Sequence, residues 1–596
     1  MKKTSCIGLL ILSFWFTSLS VIAQKVDGNL IKKSIEYLAS KELGGRLPGT
    51  KGDSLAANYI RSQFIKSGLK LLADSGFQRF DIITDIKAGP KNDFTYPGIE
   101  ANLNTDFVPV SFSKNATFKS NAVFVGYGFE INTDSLKWDD YDKLLVKDKW
   151  VIILRGEPDL DNSKSKYQNY SSDRQKVLTA KDKGALGVVF VNSIAMNKSD
   201  ALMKLHSDPN FADAGLPVIN ISRNVANMML KSNEQTIELL EKEYNSQKKP
   251  HSFSLTEKLD ATADLILTKV KTYNIVGMIE GSDASLKTQY VVLGGHYDHL
   301  GMGGVGSSSR MPDTVAVHYG ADDNASGTSG VIALADAYMK SKIKPKRSLI
   351  FVAFGAEEEG LLGSKYFVKY PVKDIKNMVF MMNFDMIGRL KTDNPSLSVS
   401  GSETALEFKA ITPNHTKYDS ISVSYSPDGY GPSDHATFFG QKIPVMFLTT
   451  GVHFDYHTPL DHPSKINYSG CTSVMNFSIE LLNDIINNQN SITYNPANVT
   501  YTGSTSNRSS LKVTLGIIPD VSNSTGSKGL LVEGVKKDGP ANKGGIEKGD
   551  IITAIDGKSI TDIEEYMARL RQLEAGKTVP VDIIRNGTKM VLLIKL

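Results

Sequence analysis

The chain has almost no cysteine. Cys6 and Cys471 are the only two thiols among its 596 residues. Cys6 lies in a stretch that we expect to be removed, so Cys471 would have no intrachain partner. A disulfide framework is therefore excluded, and stability must come from ordinary hydrophobic cores, for which a chain of this length and 41% hydrophobic content is sufficient.

The chain also lacks an excess of either charge. Its 68 basic residues nearly balance its 64 acidic residues, which gives a net charge of +4. A protein that binds nucleic acid usually has a strongly basic surface. We therefore predict no nucleic-acid partner.

A long apolar run occurs only at the start of the chain. Lys2 and Lys3 precede the apolar run Ile7–Ile22, which is followed by the small residue Ala23. This pattern is typical of a cleaved secretory signal, and the run is short for a helix that spans a bilayer. We predict a signal peptide over residues 1–23 and an exported protein without a stable membrane anchor, with the periplasm favoured over secretion.

Two common hydrolase motifs are absent as well. The sequence contains no HExxH and no GxSxG, which removes the best-known zinc proteases and serine hydrolases from consideration. The string GMGGVG at 301–306 satisfies the dinucleotide pattern GxGxxG, but SSSRMPD follows it where a helix would be required. We therefore predict no nucleotide site.

The main domain is predicted from alternating strands and helices. Residues 29–40 and 54–68 have apolar residues at helical spacing, and Gly68 is a suitable helix end. From Thr272 the segments YVVLGGH, TSGVIALADAYMKS, SLIFVAFGA, LGSKYFVKY and MVFMMNFDMIG follow one another. Such alternation predicts an α/β fold, with a mostly parallel, mixed sheet covered by helices on both faces.

Residues 115–255 have a different texture. Short β runs such as NAVFVGYGF and KWVIILRG precede a helix near 176–183, after which come GALGVVFVN and LPVINIS. This segment resembles a protease-associated (PA) domain, an α/β module inserted in some exopeptidases. The main domain would then be discontinuous, over 24–114 and 256–490.

The end of the chain is predicted to form a separate small domain. A Ser-, Thr- and Asn-rich linker over 491–510 precedes LGI (515–517) and GPANKGGIEKGDIITAIDGKSI (539–560). Residues 511–596 resemble a PDZ domain, which is small and mainly β. The resemblance implies a groove beside LGI where a peptide or a protein C-terminus could bind as an added strand.

Metal-capable side chains follow three of the predicted strands. His296 comes after YVVLGG, Glu357 and Glu358 come after LIFVAFGA, and Asp385 comes after VFMMNF. In open α/β sheets, ligands gather at the carboxyl ends of the strands. The sequence therefore predicts a metal site at this edge of the sheet.

With Asp323 in GADDNASG and His457 in YHTP, these motifs resemble the co-catalytic two-zinc exopeptidases. That family includes secreted bacterial leucyl aminopeptidases, glutamate carboxypeptidase and the transferrin receptor. The resemblance implies one zinc held by His296, Asp323 and Asp385 and a second held by Asp323, Glu358 and His457. Asp323 would bridge the ions, because one carboxylate has an oxygen for each.

The resemblance implies further roles for three residues. Asp298 would accept the free imidazole N–H of His296 and so orient the ring. Glu357 would be the general base that takes a proton from the attacking water and delivers it to the leaving amine. Tyr430 would stabilise the oxyanion of the tetrahedral intermediate.

The resulting hypothesis is an exported zinc metallopeptidase that cleaves peptide substrates, with an aminopeptidase favoured. A carboxypeptidase or another amide hydrolase on the same fold is the first alternative, and a non-catalytic receptor or scaffold is the second. The complete set of ligands and base argues against the scaffold. Arg389 could bind a substrate carboxylate and Asp434 a substrate ammonium, so the residues alone leave the preferred end of the peptide open.

Overall fold

The computed structural model describes residues 24–133, 135–142, 144–160, 165–205, 213–495, 513–519, 529–535, 539–560, 566, 569–570, 573 and 575–596. The predicted signal peptide and most of the predicted linker lie outside these residues. The chain forms two compact units. One comprises Met1–Gln78, Tyr273–Glu358 and Gly363–Leu596, and the other comprises Arg79–Thr272 with Glu359–Leu362.

The larger sheet is mixed and has ten strands, of which Phe77–Ala88 and Leu265–Ile279 each include residues of both units and the others lie in the first unit. Along its main path the strands lie in the order Lys70–Leu71, Leu265–Ile279, Ser348–Phe354, Tyr290–His296, Met378–Phe384, Val445–Thr449, Ser396–Ser400, Ile421–Ser426 and Lys417–Tyr418, and Phe77–Ala88 pairs with Leu265–Ile279. The four strands from Ser348–Phe354 to Val445–Thr449 run parallel to one another. The α/β prediction is confirmed, with a parallel centre and antiparallel pairs toward the edges.

Helices cover both faces of this sheet, as predicted. The helices Gly28–Leu38, Lys51–Ser67, Gly327–Lys340 and Tyr468–Ile486 contribute to the larger core on one face. Leu362–Lys369 and His435–Phe439 contribute Phe367, Phe438 and Phe439 to the core on the other face. A short helix, Phe408–Ile411, also lies in this unit and contributes Phe408 to the larger core.

Local sequence signals explain where the first two helices begin and end. The Asp27 carboxylate accepts hydrogen bonds from the N–H groups of Asn29 and Leu30 and so caps the first helix. Thr50 caps the second helix in the same way, through the N–H of Asp53. Gly68 ends that helix at φ 86°, a left-handed conformation that glycine adopts without strain, and this confirms the predicted stop.

The second unit contains an eight-stranded sheet. Its order is Ile99–Glu100, Asp93–Tyr96, Phe253–Ala263, Ala116–Phe124, Trp150–Arg155, Gly187–Asn192, Val218–Ile221 and Phe107–Pro109, and its helices are Asp173–Asp182, Arg223–Leu230 and Ile237–Gln247. A hairpin of Glu130–Asn132 and Lys137–Asp139 is separate from it. Residues before 115 pair in this sheet, while the domain boundaries given above stay predictions.

The C-terminal segment forms a small, mainly β domain. Its strands are Ile517–Pro519, Leu530–Val535, Ile551–Ile555, Lys558–Ser559, Thr578–Arg585 and Thr588–Lys595, and a short helix lies at Pro540–Lys543. All of its pairs are antiparallel among the described residues. Among the described residues, every helix is too short or too polar to span a bilayer.

Candidate metal centre

Three neighbouring parallel strands bring the predicted ligands to one edge of the sheet. The strand of His296 lies between the strands Ser348–Phe354 and Met378–Phe384, and His296 is paired in register with Phe354. Asp385 follows the third strand directly, and Glu357 and Glu358 follow Phe354 after a short turn. The carboxyl ends of these strands therefore place all four side chains close together, as the sequence predicts.

Asp323 reaches the same place from the turn that opens the helix Gly327–Lys340. Gly320 has φ 53° there, and the φ of −103° and ψ of 94° at Asp323 are not helical. A side chain at Gly320 would collide with the backbone oxygen of Asp323. The turn thus depends on glycine to direct Asp323 toward His296.

The ligand atoms form two groups that share Asp323. In the first, His296 Nε2 lies 3.3 Å from Asp323 Oδ1 and 3.5 Å from Asp385 Oδ2. In the second, His457 Nε2 lies 3.1 Å from Asp323 Oδ2 and 3.1 Å from Glu358 Oε2. We call these groups subsite 1 and subsite 2. Each oxygen of Asp323 thus faces a different imidazole.

These groups fit metal ions. Zinc binds imidazole nitrogen and carboxylate oxygen at about 2.0–2.2 Å, so the ligand atoms of one ion lie roughly 3–3.5 Å apart. The four separations above fall in that range. In addition, Asp323 Oδ2 and Asp385 Oδ1 are buried and accept no hydrogen bond, a costly arrangement that a cation would relieve.

The buried charges perturb one another strongly. Burial opposes the charged form of Asp323, but the imidazoles of His296, His457 and His299 outweigh it and hold the Asp323 pKa well below its usual range. Burial and the Asp323 charge raise the pKa of Glu358, yet His457 and His299 bring it down to about 2. Burial raises the pKa of Glu357 well above normal, with only His296 opposing it strongly. The two adjacent glutamates therefore have opposite electrostatic environments.

Glu357 lies beside subsite 1. Its Oε2 is 3.8 Å from His296 Nε2, and its side chain is 11% exposed. This places a carboxylate next to the proposed ligands and open to a small amount of solvent, which is the arrangement that proton transfer to and from a substrate requires.

Asp298 has a backbone role that the sequence does not reveal. Its carboxylate accepts hydrogen bonds from the N–H groups of Glu357 and Glu358, at 3.0 Å and 3.2 Å. His296 Nδ1 lies 3.7 Å from the Asp298 carboxylate and 3.3 Å from the Asp298 carbonyl oxygen. The orientation of His296 by the Asp298 carboxylate stays a prediction. The two hydrogen bonds that this carboxylate accepts hold the backbone turn that carries Glu357 and Glu358.

The segment Asp455–Asp461 connects three ligand-bearing regions. The Asp461 Oδ2 atom accepts the N–H groups of Asp322 and Asp323, at 2.8 Å and 3.1 Å. Its Oδ1 atom lies 3.2 Å from Arg389 Nη2, and Arg389 also binds Asp455 at 3.0 Å. Asp461 therefore links the Asp323 turn to the segments that carry His457 and Asp385.

Arg46 is a second residue that sequence reasoning missed. It is fully buried, and its guanidinium donates to the carbonyl oxygens of Leu38, Tyr297, Tyr319 and Gly320. Burial lowers the Arg46 pKa to about 10, although the nearby site carboxylates partly offset this effect. One guanidinium thus joins the backbone next to Asp298 to the backbone before Asp322. The charged residue among the glycines of GGRLPG (44–49) is the sequence signal that could have drawn attention to Arg46.

Residues 430–434 lie on a separate loop, just before the helix His435–Phe439. The ring of Tyr430 stacks edge-on against Phe439 at 4.7 Å and is 40% exposed, and its role at an oxyanion stays a prediction. The hydroxyl of Ser433 donates to Asp385 Oδ2 at 2.7 Å and was not anticipated. Both oxygens of Asp434 are buried, and burial raises the Asp434 pKa to about 7, although the His296 charge and a hydrogen bond from Ser364 oppose this effect.

The structure also brings an unassigned histidine to subsite 2. Ligand atoms of His299, Asp323 and Glu358 all lie within 4.8 Å of one another, as do those of His296, Asp323 and Asp385. The spacing HYDH, with a histidine on each side of Asp298, is the sequence signal that could have suggested it.

Comparisons with known proteins identify similar domains in three parts of the chain. Residues 274–482 match the model of peptidase family M28. This match covers about a third of the chain. Residues 111–229 match the PA domain and residues 513–596 the PDZ domain. The metallopeptidase, PA and PDZ resemblances inferred from the motifs are thereby confirmed at the level of domains.

Individual relatives of the peptidase domain vary in how much they share. Leupeptin-inactivating enzyme 1 of Streptomyces exfoliatus is 34% identical over 145 residues, 24% of this chain and 32% of that protein. Aminopeptidase YwaD of Bacillus subtilis is 25% identical over 448 residues, 72% of this chain and 78% of that protein. The chain thus spans about a third of the length of the first relative and over three quarters of the second.

Solved structures are also similar to the chain. An aminopeptidase from Aneurinibacillus sp. strain AM-1 matches 80% of this chain and 97% of its own, with 19% sequence identity and a TM-score of 0.42. A zinc aminopeptidase from Bacillus subtilis matches 79% of this chain and 98% of its own, with 20% identity and a TM-score of 0.42.

Proposed function

We propose that the protein is a two-zinc aminopeptidase that releases N-terminal residues from peptides. The observation that carries the proposal is the position of Asp323, whose two oxygens face the imidazoles of His296 and His457 at 3.3 Å and 3.1 Å. Such a carboxylate can hold one cation on each oxygen. His296 and Asp385 would complete subsite 1, and Glu358 and His457 would complete subsite 2.

The donor set supports zinc. Two imidazoles and three carboxylates are ligands that zinc accepts at neutral pH, although cobalt or manganese could occupy the same atoms. Zinc bound there would supply Lewis acidity toward the scissile carbonyl and lower the pKa of the attacking water. Everything else in the reaction depends on how the protein orients and protonates the reactants.

Glu357 is proposed as the group that moves the proton. Its Oε2 would accept a proton from the attacking water and return it to the departing amine nitrogen. The backbone of Glu357 is held by Asp298, and its neighbour Glu358 is directed into subsite 2. One turn would therefore supply both a metal ligand and a base, on two adjacent residues.

The neighbouring charges favour an amine over a carboxylate at the substrate terminus. Arg389, the candidate for binding a C-terminal carboxylate, is already engaged with Asp455 and Asp461. Asp434, the candidate for binding an ammonium, is buried, and no lysine or arginine side chain of the described residues forms an ion pair with it. Its charge and those of His296, Asp298 and Asp385 affect one another, so Asp434 lies near the cluster. These contacts support an aminopeptidase over a carboxypeptidase.

The remaining assignments belong to the same proposal. Residues 1–23 would direct export, to the periplasm in preference to the medium, and the C-terminal domain would bind a peptide or protein C-terminus. The domain limits would be those given for the sequence, with the peptidase domain over 24–114 and 256–490, the insert over 115–255 and the PDZ domain over 511–596. Tyr430 would contact the oxyanion.

Removal and return of metal tests the proposed chemistry. The purified mature chain should lose hydrolysis of an aminoacyl-p-nitroanilide on dialysis against a chelator, since no proposed nucleophile remains without the cations. Activity should return as Zn²⁺ is added, and elemental analysis should reach two ions per chain. Full activity in the chelated protein would contradict the proposal, and so would saturation at one zinc.

A further inference from the structure

His299 lies against subsite 2 and has no part in the proposed ligand set. The residue is fully buried, and its Nδ1 atom lies 2.8 Å from Glu358 Oε1. It is 3.7 Å from Asp323 Oδ2, and its ring centre is 5.8 Å from that of His457. A buried polar ring this close to a proposed metal ligand needs a physical role.

The geometry of its contact differs from that of the proposed ligands. The contact between His299 and Glu358 is a hydrogen bond, in which the ring nitrogen and the carboxylate oxygen are aligned with each other. By contrast, Asp323 Oδ2 accepts no hydrogen bond although His457 Nε2 is 3.1 Å away. Ligands of one cation point at a common centre, whereas a donor and its acceptor point at each other. His299 therefore behaves as a donor to Glu358.

The backbone at Gly320 and Arg46 holds the His299 ring in this orientation. A methyl group on Gly320 would come within 2.6 Å of Cγ and Cδ2 of His299, so the glycine backbone lies directly against the ring. The N–H of His299 donates to the carbonyl oxygen of Arg46 at 3.3 Å. Both the backbone and the ring of His299 are thus held by neighbouring backbone groups.

We infer that His299 is a positioning residue for the metal ligand Glu358, an inference that rests on the proposed two-metal function. Its Nδ1–H occupies Glu358 Oε1, which leaves Oε2 to face Asp323 and His457 as the single ligand atom. A carboxylate held by one oxygen keeps its other oxygen in place. His299 would thereby pre-organise Glu358 in subsite 2 without itself being a ligand.

Two substitutions separate this role from a general structural one. In His299→Asn the amide can place an N–H where Nδ1 stands, whereas in His299→Gln the longer side chain matches the position of Nε2 instead. His299→Gln and His299→Ala should bind one of two metal equivalents about 10–100-fold more weakly, as is usual when a hydrogen bond to a metal ligand is lost. His299→Asn should remain within a few-fold of the wild type.

Cobalt titration identifies the kind of contact. Visible spectra of the Co²⁺-loaded proteins report the ligand set, so His299→Ala at saturation should give the wild-type spectrum at both equivalents. His318→Ala is the matched control: its imidazole is bonded to Ser309 and to the carbonyl oxygen of Ala316 and should leave metal affinity unchanged. Thermal unfolding of each variant checks that it is folded.

The outcomes are distinct. Unchanged affinity in His299→Ala overturns the inference, as does equal weakening in His299→Asn and His299→Gln. An altered Co²⁺ spectrum at saturation also overturns it, because His299 would then be a ligand. A wild-type protein that binds no divalent cation would instead contradict the proposed function itself.

Discussion

Glu357→Gln is expected to retain two zinc ions per chain while its turnover falls by about 10²–10⁴-fold. The amide keeps the size of the side chain but cannot accept a proton from water. The ligand atoms of both subsites are unchanged, and the N–H of residue 357 still has its acceptor in Asp298. Elemental analysis and steady-state kinetics on one preparation measure both quantities.

The third glutamate of the same turn, Glu359, supplies the control for this prediction. Glu359→Gln makes the same chemical change two positions further along the turn, at a residue with no proposed part in binding or catalysis, and should keep turnover within a few-fold. Loss of a zinc ion from Glu357→Gln would show that Glu357 is a ligand and would reverse its roles with Glu358. Wild-type turnover in Glu357→Gln would show that Glu357 is not the general base.

Asp461→Ala is expected to weaken the binding of both metal ions by about 10–100-fold. The substitution leaves the N–H groups of Asp322 and Asp323 without an acceptor and removes one partner of Arg389. Because Asp323 contributes to both subsites, an error in its position affects both ions. Competition with a chelator of known affinity measures the two binding constants.

Asp455→Ala is the matched control for Asp461→Ala. It removes the other carboxylate partner of Arg389 from the same loop, but the Asp455 side chain makes no contact with the backbone of Asp323. Its metal affinity should stay close to that of the wild type. If both variants lost metal equally, the effect would come from Arg389 rather than from the hold of Asp461 on the bridging carboxylate.

The strand ends are the part of the site that a sequence can predict. His296 and Asp385 each follow an apolar run, and parallel strands bring their ends to one edge whatever the surrounding detail. Asp323 and His457 lie on turns, where no periodicity fixes direction. Their inclusion depended on resemblance to a family, and the structure brings them together at 3.1 Å.

The supporting residues could not be predicted in the same way. Arg46 is separated from Gly320 by 274 positions, and its hydrogen bonds go to carbonyl oxygens that every residue possesses. The Asp298 carboxylate likewise binds backbone N–H groups, which leave no trace in the side-chain pattern. Which polar atom meets which backbone group depends on tertiary packing, so these contacts appear only in the folded chain.

The extent of the second unit also could not be predicted from the sequence pattern. The β texture that begins near residue 115 predicts a module, but Asp93–Tyr96 and Phe107–Pro109 also pair in its sheet. Short strands of three or four residues carry too little periodicity to be assigned to one sheet or another. Long-range pairing decides their membership.

The end of the peptide that the site holds is the most direct test of the whole account. The purified mature chain, loaded with zinc, should hydrolyse aminoacyl-p-nitroanilides that have a free α-amine. It should leave N-acetylated dipeptides with a free carboxylate essentially intact, because Arg389 is already paired with two carboxylates, whereas no lysine or arginine of the described residues pairs with Asp434. Turnover of only the blocked dipeptides would contradict the aminopeptidase assignment.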